Sequence, residues 1–576
     1  MILQALTEEY ENLARDGKVS REGWCFAKVS CGLNLSEDGK VIGIVSLKQE
    51  EERGKKKVAV PVPLMVPEMV TRSSGVSANF LCDNSKYILG IDGDGSSPRL
   101  TDCFLAAKEK HLSILKGADG KMARAVCGFF ENWKPEEAAQ NELIKNRWEE
   151  LTDGGNLIFC MGMDYAQDDP DIRKAWEKSG EERENGREGI CLVTGQRTEI
   201  SRIHKTIKGV PGAQSSGAAL VSFNAPAFES YGKEQSYNAP VGKYAEFAYT
   251  TALNYLLAQR DYTLQLGDSM VIGWAESGQE EYQETFIMTM DPPLDNQEEI
   301  KGIFRNLKNQ RPIEMGNIRL NPDQRFYILG LAPNAARLAV RFFYQDSFGN
   351  ILNNISSHYR RMEIVQPAWE KQKYMGIRQM LWETVNQKSK DKSPVPNMAA
   401  MVMQSILSGT RYPASLYSDT LMRIRAEQGK VTWGRAGIIK AYLIRNYGWK
   451  KGEDYMGLME ESRDTPYVLG RLFAVFEGIQ MDANPGIKAT IRDRYFNSAC
   501  AAPASVFPVL AKLKNSHMKK LERDRVGSKI YYEQLLAEIM EKLDQFPKRL
   551  SLEEQGRFIL GYYHQMQKRY EKREEK

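Results

Sequence analysis

The spacing of apolar residues changes character along this chain. Up to about residue 390, short runs of β-branched and aromatic residues recur between charged stretches, the pattern of strands that bury at least one face. KKVAVPVPL, KYILGID, SMVIGWAE, RFYILGLA and RLAVRFFY read as strands in this way. Near the start, WCFAKVSCGLNL and VIGIVSL flank Asp38-Gly39, and Asp-Gly favours the positive φ of a tight turn, so a β-hairpin is predicted there. Intervening stretches such as PEEAAQNELIKNRWEEL have helical composition. The alternation predicts an α+β architecture rather than a sandwich.

The pattern breaks at NQKSKDKSPVPN (386–397), where charged and amide residues lead into two prolines that a helix interior does not accept. Beyond it the apolar period becomes helical. Thr465-Pro466 reads as an N-cap with a first-turn proline, and Val468, Leu472, Val475, Phe476 and Ile479 then share one face. KIYYEQLLAEIMEKLDQF places Tyr532, Leu535, Leu536, Ile539, Leu543 and Phe546 at helical spacing. Ser551 and Glu554 form a capping box ahead of RFILGYYHQMQKRY. The expected organisation is a large mixed α/β domain over residues 1–390 followed by an antiparallel helical bundle over 398–576.

Composition narrows the class. At 576 residues the chain exceeds what one core sustains, so at least two domains are expected. With 79 basic and 75 acidic residues the net charge is only +4, so any contact with nucleic acid depends on local clustering. Charges interrupt every apolar run before the ~18 residues a membrane span needs, and the first residues lack an apolar signal core. No membrane association and a cytoplasmic location are expected. The eight cysteines form no Cys-x-x-Cys pair and read as reduced thiols. Cys191 with His204 is the one nearby mixture of zinc-ligand types, and a buried thiol beside an ordinary histidine is the simpler reading.

The residues for catalysis are missing. None of the five histidines is followed by Asp, as the His-Asp dyad of metal-dependent nucleases requires, and no phosphate-wrapping Gly-x4-Gly-Lys-[Ser/Thr] loop is present. Asp92-Gly93-Asp94-Gly95 opens like a calcium loop but lacks its later ligands, and reads as a turn. Asp168-Asp169 before Pro170 reads as a solvated loop. No catalytic residue, metal or cofactor is therefore expected.

Three stretches have the composition of nucleic-acid contacts. The first, 204–257, sets Lys205, Lys208, Lys233 and Lys243 among Gly, Ser, Gln and Asn, punctuated by Phe223, Phe228, Tyr231 and Tyr237. Its lysines suit phosphates, while Gln214, Ser215, Ser216, Asn224 and Asn238 suit base edges. A compact loop whose amides satisfy its own backbone fits the composition too. The second, TRSSGVSANFLCDN, carries Arg72 and Asn79 and reads either as a phosphate clamp or as a loop capping the sheet. In the third, Lys512, Lys514, Lys519, Lys520, Arg523 and Arg525 fall close together, either to guide a single strand or as a solvated helix face.

The strings FLCDNSKYILG, CLVTG, IKGVPGAQSSGAALVSFNAPAFESYGKEQSYNAPV, NPDQRFYILGLAPNAARLAVRFFY, YVLGRLFAVFEGIQMDANPGIKATIRDRYF and RFILGYYHQ, in this order, resemble the large subunit of the type I-C CRISPR interference complex, Cascade. The resemblance implies a non-catalytic subunit of RNA-guided defence, in which the guide reads sequence by pairing and the protein reads a short protospacer-adjacent motif. It implies that residues 1–390 inspect and help open duplex DNA while the bundle lies along the guide–target hybrid or the displaced strand. The implied partners are the guide-RNA ribonucleoprotein with its backbone subunits and guide-end-capping subunit, a small subunit, target double-stranded DNA and a helicase-nuclease. It also implies that residues from Met456 or Met459 to 576 can be made separately as the small subunit by internal initiation. The rival from another class is an endoribonuclease trimming the guide precursor, with His204 or His111 as general acid or base. A third reading is a structural spacer.

Overall fold

The computed structural model describes every residue except 54–55, 71–74, 94–98, 182–186, 310, 391, 396, 450–453 and 575–576. It is α+β, with mixed sheets in the N-terminal half and helices in the C-terminal half. No helix among the described residues is long and apolar enough to cross a membrane. The chain forms two compact units. One gathers Tyr10–Ile203 and Phe223–Thr251; the other gathers Met1–Glu9, His204–Ser222 and Ala252–Lys576.

In the first unit, β1 (Trp24–Leu35) is the axis of a seven-stranded sheet with β2 (Val41–Ser46), β3 (Lys48–Arg53), β4 (Lys56–Pro67), β5 (Asp83–Asn84), β6 (Asn156–Met161) and β7 (Asp164–Tyr165). β1 runs antiparallel to β2 and β4 and parallel to β6, so the sheet is mixed. The predicted β1–β2 hairpin is present, its turn closed by Gly39 N–H donating to Ser36 O at 2.9 Å. The helices Leu100–Ile114 and Lys121–Asn132 contribute Phe104, Phe129 and Phe130 to a core with Leu33, Phe80 and Phe159. KYILGID is not a strand. Asn84 caps a helical turn, Ser85–Ile88, by accepting the Lys86 N–H, and Tyr87 and Ile88 are buried by it rather than paired in a ladder. Asp169 is likewise a helix cap, accepting the N–H groups of Asp171 and Ile172 at 3.0 Å each, while Asp168 pairs with Arg173. A small hairpin of β8 (Glu188–Ile190) and β9 (Arg197–Glu199) completes this unit's strands.

The second unit contains an antiparallel sheet of β10 (Thr263–Leu266), β11 (Ser269–Ala275), β14 (Arg325–Asn334) and β15 (Arg337–Ser347), with a hairpin of β12 (Ile313–Met315) and β13 (Ile318–Leu320). Every residue of β11 is buried, as expected of a strand covered on both faces. One hydrophobic core extends from Leu264 on β10 to Met566 in the last helix. The compact units therefore do not divide at 386–397. That stretch is a polar connection between the helices Ile377–Trp382 and Met398–Ser408, and both helices bury residues in the same core. Charge and proline there mark a loop rather than the end of a core.

The bundle centres on the helix Thr465–Ala483, packed by Pro503–Asp524, Val526–Met540 and Leu552–Glu574. The predicted face of Val468, Leu472, Val475, Phe476 and Ile479 is buried, but so are Tyr467, Leu469, Phe473 and Ala474, as in a helix enclosed on all sides. Its N-cap is Asp464 rather than Thr465, and Asp464 bonds Arg557 at 2.7 Å. The Ser551–Glu554 capping box is formed in both directions. The helix Val526–Met540 ends before Leu543 and Phe546, which reach the core from the following loop.

Candidate nucleic-acid interface

The polar stretch singled out by composition is shared between the two units, which take 204–222 and 223–251 respectively. In the second unit, residues 207–218 form a loop fastened at its base. Ile207 and Ala218 exchange both backbone hydrogen bonds at 2.9 Å. Asn254 closes the base from the helix Lys243–Ala258, accepting the Lys208 N–H at 2.8 Å and donating to Thr206 O at 3.1 Å. On the other side, Ala219 donates to Ala336 O at 3.0 Å and accepts from Leu338 N–H at 2.9 Å, which ties the loop to the β14–β15 turn. Gly217 turns the chain at φ +100°, and a Cβ there would lie 2.7 Å from the Thr206 hydroxyl, so only glycine fits. With the base fixed, Gln214, Ser215 and Ser216 are exposed at the tip, with Lys205 and Lys208 exposed beside the base.

The companion segment in the first unit behaves differently. Asn224 is exposed, but Asn238 is consumed by its own turn: its amide donates to Lys233 O and Gln235 O and its carbonyl accepts the Ser230 N–H. It acts as the loop-closing amide, as the alternative reading of the composition has it. Lys243 is half-buried and paired with Glu199 at 2.6 Å. Lys233 is half-buried in the turn whose apex, Tyr231, has φ +54° and is 98 % exposed. Sequence reasoning noted Tyr231 only as a punctuating aromatic; a non-glycine residue at positive φ is not legible from composition.

Asn79 does not reach a surface. It is 1 % exposed, accepts the Val70 N–H through its side chain at 2.9 Å and donates its backbone N–H to Asp83 at 2.9 Å, so it organises the loop ahead of β5. Arg72 lies outside the described residues.

The basic cluster of the bundle is sorted by helical geometry. On the helix Pro503–Asp524, the spacing of Lys512, Lys519 and Arg523 puts all three on one stripe, and all three are exposed. Arg523 shares its charge with Asp524 at 2.7 Å. Lys520 is half-buried and donates to Asn484 at 3.0 Å, Lys514 lies on the opposite side of the helix, and Arg525 is its exposed C-cap.

The histidines weighed as general acid or base, and the Cys191 thiol beside them, are tied into the fold. His111 sits in the phenylalanine core, accepting the Leu81 N–H through Nε2 at 2.8 Å with Nδ1 2.7 Å from Ala107 O, and burial lowers its pKa to about 3. Burial likewise lowers that of His204 to about 4. Burial raises the Cys191 thiol, but N–H donors from Gly242, Thr194 and Val193 outweigh it and leave the group below its ordinary value. The sulfur is an acceptor closing a turn, and the described residues contain no cluster of His, Cys, Asp or Glu that could hold a metal ion.

No curated protein matches the chain. The family described as CRISPR-associated protein (Cas_Csd1) matches residues 6–570, nearly the whole length. The chain, with a fastened polar loop, a stripe of exposed cations and four of its five histidines buried, belongs to that CRISPR-associated family.

Proposed function

We propose that this protein is the non-catalytic large subunit of type I-C Cascade. It reads the protospacer-adjacent motif, helps open the duplex, stabilises the R-loop and licenses recruitment of the helicase-nuclease. The reading rests on the 207–218 loop, whose base is bonded to two elements while Gln214, Ser215 and Ser216 stand in solvent at its tip. A reader of base edges needs donors and acceptors held in place before DNA arrives, since ordering a slack loop on binding would consume affinity. Beside the loop, in its own unit, Lys205 and Lys208 supply cations for the flanking phosphates; the other unit, taken by itself, presents Asn224 as an exposed amide and Lys233 as a half-buried cation. The buried, neutral His111 and His204 favour this reading over guide-RNA cleavage. The partners proposed are the guide-RNA ribonucleoprotein, a small subunit and target DNA, with the Lys512, Lys519 and Arg523 stripe following one strand.

Gel shifts of the assembled complex, across salt and motif variants, test the assignment. Replacing Gln214, Ser215 or Asn224 by Ala is expected to weaken binding to motif-bearing duplex by about 1 to 3 kcal/mol, and to spare pre-melted target. Replacing Lys205, Lys208 or Lys233 is expected to weaken all motif variants equally and to lower the salt slope by about 0.9 per duplex phosphate lost. Unchanged affinity in all six variants would reject the loop as the reader.

We also propose that the gene yields the small subunit from Met456 or Met459. The 456–576 segment holds the five helices from Thr465–Ala483 to Leu552–Glu574, including both members of the bundle's central pair. Mass spectrometry of the expressed gene is expected to find a fragment of about 120 residues beside the full chain, and its absence would dismiss the idea.

A further inference from the structure

Two arginines in the second unit lack the acidic partners that several of its other enclosed arginines have. Arg435, Arg471, Arg557 and Arg569 each meet a carboxylate within 3.2 Å. Arg361, in the last turn of the helix Phe348–Met362, and Arg445, in the last turn of Trp433–Asn446, meet none among the described residues. Both instead face Tyr412, which follows the Gly409 C-cap of the helix Met398–Ser408. The guanidinium carbon of Arg445 is 4.8 Å from the Tyr412 ring centroid and that of Arg361 is 6.0 Å from it. Arg361 Nε also donates to the Tyr412 hydroxyl at 3.4 Å, and His358 Nδ1 lies 2.7 Å from the same oxygen.

The phenol is a fixed platform. Tyr412 is 3 % exposed, and Asn446 holds its backbone by accepting the N–H at 3.1 Å and donating to the carbonyl at 2.8 Å. Arg445 Nη1 is buried without a hydrogen-bond partner in the protein. Burial, with the Arg361 charge adding to it, lowers the pKa of Arg445 below its ordinary value. His358 offers no compensation, since burial and then the two arginines lower its pKa to about 3 and keep it neutral. The C-terminal carbonyls of two helices offset about half a charge each, which leaves a net positive site. Both arginines keep part of their surface in solvent, and Arg360 and Arg411 are exposed near them in the chain.

We propose that Arg361 and Arg445, set against Tyr412, form a binding site for a phosphodiester group of a nucleic-acid strand. Two planar guanidinium forks offer paired donors that match phosphate oxygens, and a bound phosphate would supply both the missing negative charge and an acceptor for the orphaned Nη1. Naming nucleic acid as the source of the phosphate rests on the function proposed above; the anion site itself does not.

The test uses the full chain and two variants, the double replacement Arg361→Gln with Arg445→Gln, and Thr410→Glu. Thr410 is exposed on the loop between Gly409 and Tyr412, so a glutamate there offers a competing carboxylate while leaving the arginines in place. In inorganic phosphate, relative to chloride at equal ionic strength, the wild-type melting temperature is expected to rise by more than that of either variant, the excess over the general stabilising effect of phosphate being the site's response. With a labelled single-stranded oligonucleotide, anisotropy titrations across salt are expected to show a slope shallower by about 1.4 in the double variant, two phosphates at about 0.7 each. An unchanged phosphate response in Thr410→Glu overturns the site, even if the double variant fails to fold. A lost phosphate response with an unchanged oligonucleotide slope overturns the nucleic-acid source and leaves free phosphate as the ligand. A wild-type chain that responds to phosphate but binds no oligonucleotide overturns the strand as occupant while the anion site stands. Failure of the Gln214 and Ser215 variants to alter motif choice would bear on the 207–218 loop alone.

Discussion

Replacing Gly561 or Gly470 by Val is expected to remove at least about 3 kcal/mol of stability, among the largest effects of any single change in the bundle. A Cβ on Gly470 would stand 1.9 Å from Phe558 O, and one on Gly561 would stand 1.9 Å from Tyr467 O. The two helices Thr465–Ala483 and Leu552–Glu574 thus touch backbone to backbone at reciprocal glycines. A flexible side chain can move aside for an added methyl group; a carbonyl inside a helix moves only with its helix. Separating the pair would also loosen Phe473 from Phe558 and Tyr562 and the buried Tyr467 from His564. Thermal denaturation is expected to show a fall of about 4 °C or more in the transition of this unit, at about 1.3 °C per kcal/mol for an unfolding entropy of about 2.1 cal/mol/K per residue. A variant that melts with wild type would show that the helices do not approach this closely.

Arg435→Met is expected to cost about 3 to 5 kcal/mol near neutral pH, and the loss is expected to shrink as pH falls. The Arg435 side chain is 3 % exposed and bridges Glu383 at 3.2 Å and Glu427 at 2.8 Å. Burial raises the Glu383 pKa above its ordinary value, with Arg435 pulling it back, whereas the hydrogen bond from Arg435 leads in lowering that of Glu427. Without the arginine, Glu383 is a buried carboxylate with its main counter-charge gone, and its folded pKa rises further. A raised carboxyl favours folding fully at or below the unfolded glutamate value of about 4.3 and loses that contribution as pH rises through the folded value. The Glu427 contribution has the opposite slope, being present in wild type above the unfolded value and lost as pH falls. The Glu383 contribution therefore narrows the gap between wild type and variant from pH 7.5 to pH 5, while that of Glu427 narrows it only at lower pH, below about 4.3. Urea denaturation at the two values checks it, and a gap independent of pH would show that packing, not charge, is what the arginine provides.

Elements with an unambiguous period were legible. The strand runs SMVIGWAE, RFYILGLA and RLAVRFFY became β11, β14 and β15, and the Asp38-Gly39 hairpin and the Ser551–Glu554 capping box formed as their local chemistry requires. KYILGID misled because its β-prone residues are buried by a single helical turn whose signal is the preceding Asn84 cap. Leu543 and Phe546 continued a helical period past the end of their helix because a loop residue that reaches the same core satisfies that period equally well. At the candidate interface, composition identified the exposed tip of Gln214, Ser215 and Ser216 but could not separate it from Asn238, whose identical chemistry is turned onto its own backbone. Nor could it rank the lysines, since what sets Lys243 apart from Lys208 is its half-buried place and its pairing with Glu199. The Arg361–Arg445 pair left no trace in sequence, because the two residues are far apart in the chain and what distinguishes them is the lack of an acid in space.

The interleaving of the two units fixes the order in which they can be completed during synthesis. The core that spans Leu264 to Met566 belongs to a unit that also claims Met1–Glu9 and His204–Ser222, while Phe223–Thr251 returns to the other. A ribosome therefore releases the first residues long before most of the structure they join exists, and the 207–218 loop emerges before the β14–β15 turn that secures it. Ending translation at residue 390 would divide one core rather than liberate a domain, and a cut at the 207–218 tip would leave each unit held together by packing alone.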